Sequence, residues 1–252
     1  MDALPYLQKV KLKREKIFSF DAYLFSIPAV RELYEIDFSK EVTILVGENG
    51  SGKSTLLEAI AVAMGFNAEG GSKNFNFQTR KTHSDLFEYL LLSKSFKRYK
   101  DGFFLRAESF YNVATNIDEM DEGFSKTPML KDSYGGKSLH HQSHGESFLA
   151  LMVNRFGGNG LYILDEPEAA LSPSRQLAVL SRMYQLIELQ SQFIIATHSP
   201  ILMAYPNAKI YQVSSNGIEP VKYEETEHYE ITRAFSNNPQ PMLKELFRED
   251  SV

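Results

Sequence analysis

Hydrophobic and polar positions along the chain fall into short apolar runs and longer stretches of helical spacing. Glu41–Val46 carries Val42, Thr43, Ile44 and Val46, and this β-branched content predicts a strand. A glycine-rich turn follows. Leu56, Leu57, Ile60, Ala61 and Met64 then recur at helical spacing and predict a helix over Ser54–Met64. Gly70–Gly71 breaks the chain, Asn74–Phe77 alternates like a short strand, and Ser84 is placed to cap a helix over Leu86–Leu92. Phe103–Arg106 reads as a strand, and the polar Asn112–Lys137 as a loop-rich insertion. Glu146–Asn154 predicts a helix, Leu161–Leu164 and Phe193–Ala196 buried strands, and Pro173–Leu189 an amphipathic helix with proline at its start. Lys209–Val213 is one more strand, and Ser214–Gly217 turns into a hairpin with Ile218–Tyr223. Met1–Phe38 mixes apolar-aromatic runs with charge. Its basic cluster Lys11–Lys16 reads as a solvated edge or loop, and the acidic Glu219–Glu230 as a solvated face. Short apolar strands alternating with helices predict an α/β fold with a mostly parallel sheet flanked by helices, and the final hairpin gives it an antiparallel β edge.

Composition narrows the class without naming a chemistry. The chain has 252 residues, 43% hydrophobic and 23% charged, with 27 basic and 32 acidic side chains and a net charge of −5. That size supports a real core without covalent staples. Cysteine is absent, which excludes disulfides, thiolate metal sites and thiol catalysis. No apolar run is long enough to span a bilayer, and Met1–Val10 lacks the pattern of a signal peptide. A cytoplasmic protein of one domain is the expectation. The mild acidity argues against a surface that binds nucleic acid everywhere and leaves room for a local basic patch.

Two motifs carry chemistry. Gly47-Glu48-Asn49-Gly50-Ser51-Gly52-Lys53-Ser54 fits the spacing G-x-x-x-x-G-K-[ST], between a strand and a helix. A chance match in a chain of this length is roughly one in a hundred. Glycines let the backbone curl its N–H groups around phosphate oxygens, and the following helix adds its positive end. Lys53 then reaches the β- and γ-phosphates, the Ser54 hydroxyl can ligate Mg²⁺, and Thr55 is close enough for the α-phosphate. The second motif is Leu161-Tyr162-Ile163-Leu164-Asp165-Glu166, an apolar strand ending in two carboxylates. Strand C-termini face the ligand crevice of an open α/β sheet. Asp165 is placed to hold the Mg²⁺ shell, and Glu166 to orient or deprotonate an attacking water.

Further along, Gln142-Ser143-His144-Gly145-Glu146-Ser147 opens a helix and resembles the signature motif of ABC-type P-loop ATPases, usually Leu-Ser-Gly-Gly-Gln. Ser143 and Gly145 match; Gln142, His144 and Glu146 depart. Glu168-Ala169-Ala170-Leu171-Ser172 resembles the D-loop, and Thr197-His198-Ser199-Pro200 the switch-histidine motif, in the expected order. The resemblance runs from about Glu41 to Val213. It is nearest to small stand-alone bacterial "AAA family" ATP-binding proteins related to chromosome-maintenance and DNA-repair ATPase heads. It implies a P-loop NTPase fold with a small helical and loop insertion carrying the signature. The whole chain, 1–252, then forms one ATPase domain, with residues 41–65 and 161–213 as nucleotide-binding core and 66–156 as insertion and signature region. It further implies ATP and Mg²⁺ as cofactors, Gln78 as a candidate third group at the metal, and His198 beside the γ-phosphate. A head-to-tail homodimer would let Ser143 and Gly145 of one chain close over the other's ATP.

Other residues carry less. His140, His141 and His144 have the H-H-x-x-H spacing of a zinc site, but no fourth ligand is evident, and phosphate contact or loop solvation fits them better. Tyr23 or Phe25 is placed to stack on adenine or to pack in the core. Arg80, Arg106 and Arg155 lack a motif. Three functions remain open: an ATP-driven dimerisation switch with a nucleic-acid or protein partner, the ATPase subunit of a membrane transporter, and a nucleotide-regulated defence or toxin component with little turnover.

Overall fold

The computed structural model describes residues 5–72, 84–107, 115 and 144–248. Its centre is a six-stranded sheet. In chain order the strands are β3 (Val42–Val46), β5 (Asp101–Arg106), β6 (Gly160–Asp165), β7 (Gln192–Ala196), β8 (Lys209–Ser214) and β9 (Gly217–Val221). They lie in the order β5-β6-β7-β3-β8-β9. All neighbours are parallel except β8 and β9, the expected antiparallel hairpin. A smaller antiparallel sheet joins β1 (Leu7–Leu12), β2 (Glu35–Asp37) and β4 (Leu90–Lys94) in the order β2-β1-β4.

The central strands read as continuous apolar runs because both faces are covered. Successive side chains enter different cores. Leu45, Leu161, Ile163, Ile194 and Ala196 join Leu56, Leu57 and Ile60 of one helix. Ile44, Val46, Tyr162, Leu164, Phe193 and Ile195 join Val179, Met183 and Leu186 of another. In these labels the short α1 (Tyr23–Ser26) and α2 (Pro28–Arg31) come first, α3 (Lys53–Ala63) follows β3, and α4 (His144–Ala150) precedes β6. After β6 come α5 (Pro173–Glu188), α6 (Pro200–Met203), α7 (Glu227–Asn237) and α8 (Pro239–Leu246). In α5 the buried positions 179, 183 and 186 repeat at helical spacing, and Pro173 opens the helix as expected. The helix α4 continues into a π turn at Leu151–Arg155, so the expected helix is present and ends more loosely.

Three local expectations need correction. The basic cluster does not lie in a solvated edge or loop throughout, because Lys11 and Leu12 belong to β1, the middle strand of the small sheet. Val10 and Leu12 face inward there while Lys9 and Lys11 point out to Glu35. Ser84 does cap, its hydroxyl accepting from the Leu86 N–H at 3.4 Å, but the helix it starts is a single 3₁₀ stretch, Asp85–Tyr89. The chain then extends into β4, since pairing with β1 satisfies its backbone better than a helix with one buried leucine. Finally, the acidic C-terminal stretch exposes its glutamates as a solvated face, but it includes the start of α7, and there the side chain of His228 reaches the site described below. Asp101–Arg106 is a strand of the central sheet although it lies between 66 and 156. The Asn74–Phe77 strand and the Asn112–Lys137 loop fall outside the described residues. Among the described residues no helix is long and apolar enough to cross a membrane.

Candidate functional site

β3, β6 and β7 end at one level. Leu45 pairs with Ala196, and Ala196 with Asp165. The turn after β3, the carboxylates closing β6 and Thr197–His198 after β7 therefore converge on one edge of the sheet.

The turn is Gly47–Gly52, and α3 begins at Lys53 directly after it. Gly47 is required by a close approach: at φ 147°, an added Cβ would lie 2.1 Å from the carbonyl oxygen of Val213. Lys53 is only 4% exposed, and its Nζ donates to the Gly47 and Glu48 carbonyls at 2.7 and 2.8 Å. The ammonium is thus held inside the curve of the loop. Burial lowers its pKa, while Glu166, Asp165 and Glu168 pull it back up. A desolvated cation beside the N-terminus of an eleven-residue helix is a strong attractor for phosphate oxygens.

Ser54 donates through Oγ to Asp165 Oδ1 at 2.9 Å, and Asp165 is 5% exposed at the end of β6. Adjacent oxygens around an octahedral Mg²⁺, with bonds of about 2.05 Å, are themselves about 2.9 Å apart. The pair therefore fits one hard cation without rearrangement of the backbone. The next residue, Glu166, has left-handed backbone angles (φ 51°, ψ 51°), unusual for a side chain of this kind. Its N–H donates to the Ala196 carbonyl at 2.9 Å, which holds the bend. Glu166 Oε1 lies 3.6 Å from His198 Nε2. His198 is anchored at its backbone, where its N–H donates to the Glu168 carboxylate. Burial raises the pKa of that carboxyl, partly offset by the His198 N–H and the Thr197 hydroxyl.

The last of the site's neighbours is Gly145 on α4. It is buried, and an added Cβ would meet the Ala170 carbonyl at 2.5 Å and the Arg175 guanidinium at 2.6 Å. The signature segment is thereby pressed against the segment after the carboxylates, with Arg175 also paired to Glu146 at 3.2 Å. The cradle residues, Asp165, Glu166, His198 and Gly145 all fall within the described residues. Ser143, Gln78, Arg80, His140, His141 and the side chain of His144 lie outside them. Among the described residues no group of three or more His, Asp or Glu could hold a metal ion.

Of the aromatic candidates, Phe25 is buried edge-on to Tyr89, with ring centroids 4.9 Å apart, whereas Tyr23 is exposed. Arg155 pairs with Asp101 at 2.7 Å, at the opposite end of β5 from the site. Arg106 is different. It ends β5 in register with Asp165, stands 3.7 Å from Asp165 Oδ2 and pairs with the buried Glu58 of α3. In the sequence Arg106 stands outside any motif, and Glu58 and His228 carry no mark of their own. The rule that strand C-termini line the crevice, applied to Phe103–Arg106 as it was to Leu161–Asp165, points to Arg106. Nothing in the sequence pattern points to His228, whose Nε2 lies 3.0 Å from His198 Nδ1.

A model of a AAA domain matches residues 11–116, and a second AAA domain model, described with AbiEii toxin and Type IV TA system, matches residues 140–204. A search of curated proteins returns no match. Similar solved structures include MJ1267, an ATP-binding cassette of an ABC transporter, at 17% identity, TM-score 0.49, covering 98% of this chain and 100% of that one. The SMC head domain from Thermotoga maritima is similar at 18% identity, TM-score 0.44, covering 86% and 99%. CbiO1 from Clostridium perfringens, part of an ABC transporter complex, is similar at 18% identity, TM-score 0.45, covering 84% and 91%.

Proposed function

We propose that this chain, whose residues 11–116 and 140–204 match AAA domain models, is a P-loop ATPase of the ABC type that binds and hydrolyses ATP and acts as an ATP-driven dimerisation switch. The observation that carries the reading is the convergence of the buried Lys53, the Ser54–Asp165 pair and the bent Glu166 at one sheet edge. In this reading the whole chain, 1–252, works as one ATPase domain. Gly47–Thr55 hold the triphosphate, with backbone N–H groups and the α3 terminus facing the β-phosphate. Lys53 exchanges the Gly47 and Glu48 carbonyls for phosphate oxygens, and Tyr23 offers an exposed ring for adenine. Ser54 and Asp165, with Gln78 as a further candidate, would hold Mg²⁺, which supplies charge neutralisation at the phosphate oxygens. Glu166 takes or orients the proton of the attacking water, and His198 donates to the γ-phosphate. Catalysis of this kind is mostly positional and electrostatic.

Ser143 and Gly145 of a second copy would cover the γ-phosphate from the far side, making ATP the adhesive and hydrolysis the release. The packing of Gly145 against Ala170 and Arg175 supports this, because it ties the signature to the segment that follows Glu166. Glu166→Gln is the test: it keeps ATP binding, slows phosphate release, and shifts the mass in size-exclusion light scattering to twice the monomer with ATP alone. A Glu166→Gln protein that stays monomeric with ATP, or hydrolyses it at the normal rate, overturns the switch. A second reading, a nucleotide-regulated toxin or defence component with little turnover, draws support from the description of the second family model. It predicts negligible phosphate release from the unaltered protein and a partner that co-purifies with it.

A further inference from the structure

His228 reaches the site from outside the motifs. It is the second residue of α7, and Thr226 fixes its position. Thr226 is fully buried; its hydroxyl donates to the Tyr223 carbonyl at 2.7 Å and accepts from the Tyr229 N–H at 3.4 Å. The cap sets where α7 begins, and with it the approach of the His228 ring to His198, with centroids 5.2 Å apart.

A neutral imidazole has one N–H and one lone pair, so a bond between two neutral rings has only two arrangements. Burial lowers the pKa of both rings. Lys53 lowers His198 further against the opposing pull of Glu166; His198 and Lys53 lower His228 further against Glu227 and Glu168. Both rings are therefore neutral at neutral pH. If His198 Nδ1 carried the proton, its Nε2 would present a lone pair to Glu166 Oε1, 3.6 Å away. That contact is repulsive, whereas an N–H at Nε2 is attracted. His198 Nε2 is buried and makes no hydrogen bond among the described residues, so the Glu166 carboxylate is the acceptor that faces it, while Lys53 acts on the ring as a charge.

We propose that His228 is a positioning residue: its Nε2–H donates to His198 Nδ1 and holds His198 as the Nε2–H tautomer. The consequence is chemical. Phosphate oxygens only accept hydrogen bonds, so His198 serves a γ-phosphate only with its proton on Nε2. The effect on turnover rests on the ATPase reading above; the effect on the His198 ring does not.

The test uses the full chain with ¹⁵N-labelled histidine. The protein has six histidines, and His198→Gln assigns the resonance. The expected spectrum without nucleotide shows His198 protonated at Nε2, changing to a mixture of tautomers in His228→Leu. His228→Gln, whose amide nitrogen can donate from nearly the same place, restores the Nε2–H form. In ATP hydrolysis, His228→Leu lowers kcat by about tenfold or more with KM nearly unchanged, and His228→Gln recovers most of it. A His198 ring protonated at Nδ1, or one whose tautomer is the same in His228→Leu, overturns the proposal. So does an unchanged kcat in a His228→Leu protein from an active parent. If the parent itself does not hydrolyse ATP, the tautomer measurement still decides the role of His228, and only the ATPase reading fails.

Discussion

The two ends of the central sheet hold the same kinds of side chain and use them in opposite ways. At the N-terminal end, Asp101 accepts from Arg155 at 2.7 Å, the Tyr162 hydroxyl at 2.8 Å and the Gly157 N–H at 3.0 Å. Gln192 spends its whole amide on Leu7 and Phe38. At the C-terminal end, a lysine is buried against carbonyls, Glu166 is held in left-handed backbone, and Ser51 Oγ, His198 Nε2 and His228 Nδ1 are buried without hydrogen bonds among the described residues. Saturated polar groups stabilise a fold; desolvated groups with capacity to spare cost stability and bind ligands. Mutations at the two ends should therefore separate activity from stability.

The largest effect belongs to Lys53. Lys53→Ala removes the cation that the proposed function sets against phosphate, and ATP affinity is expected to fall by about 100-fold or more, equivalent to losing charge-assisted hydrogen bonds of about 1.5–3 kcal/mol each. The fold loses less than about 1 kcal/mol, because the desolvated ammonium already opposes burial. A nucleotide-binding titration beside urea unfolding measures both; unchanged affinity would break the contrast at its strongest point.

Asp101→Asn should do the reverse. It strips charge-assisted bonds from Arg155 and Tyr162, and stability falls by about 2–3 kcal/mol while kcat and KM hold. Its pH dependence sharpens the point. Burial pushes the Asp101 carboxyl up, but the Gly157 N–H, Arg155 and Tyr162 outweigh it and hold the pKa below the ordinary value. A carboxyl that titrates lower folded than unfolded stabilises fully above about pH 4 and loses that contribution as pH falls through its folded value. The gap in urea midpoint between the parent and Asp101→Asn therefore narrows from pH 5 to pH 3. A gap that widens on acidification contradicts the assignment.

The contiguous parts of the C-terminal end were legible in the sequence. A glycine-rich turn between strand and helix, and two carboxylates closing an apolar run, are local patterns with a local physical cause. What escaped reading depends on distant partners. β1 looked like solvated charge because Lys9 and Lys11 dominate its outer face, and only pairing on both sides makes it a middle strand. Leu90-Leu91-Leu92 has neither helical nor strand period, so the neighbour β1 decides it. Arg106 acquires meaning from β6 alongside it, and His228 from a ring thirty residues earlier.

The smallest effect isolates the backbone. Glu166→Ala and Glu166→Gly both remove the carboxylate, so both lose turnover, and their difference reports only the conformation at φ 51°. A side chain in left-handed backbone costs about 1 kcal/mol that glycine avoids, against a glycine penalty of about 0.5–1 kcal/mol in ordinary extended structure. Glu166→Gly should therefore be as stable as Glu166→Ala or more stable by up to about 0.5 kcal/mol. At Asp101, in a regular strand, the order inverts and Asp101→Gly is the weaker of its pair. Urea midpoints of the four proteins decide it. The same order at both positions would mean that the bend at Glu166 is not strained, and that the two ends differ in hydrogen bonding alone.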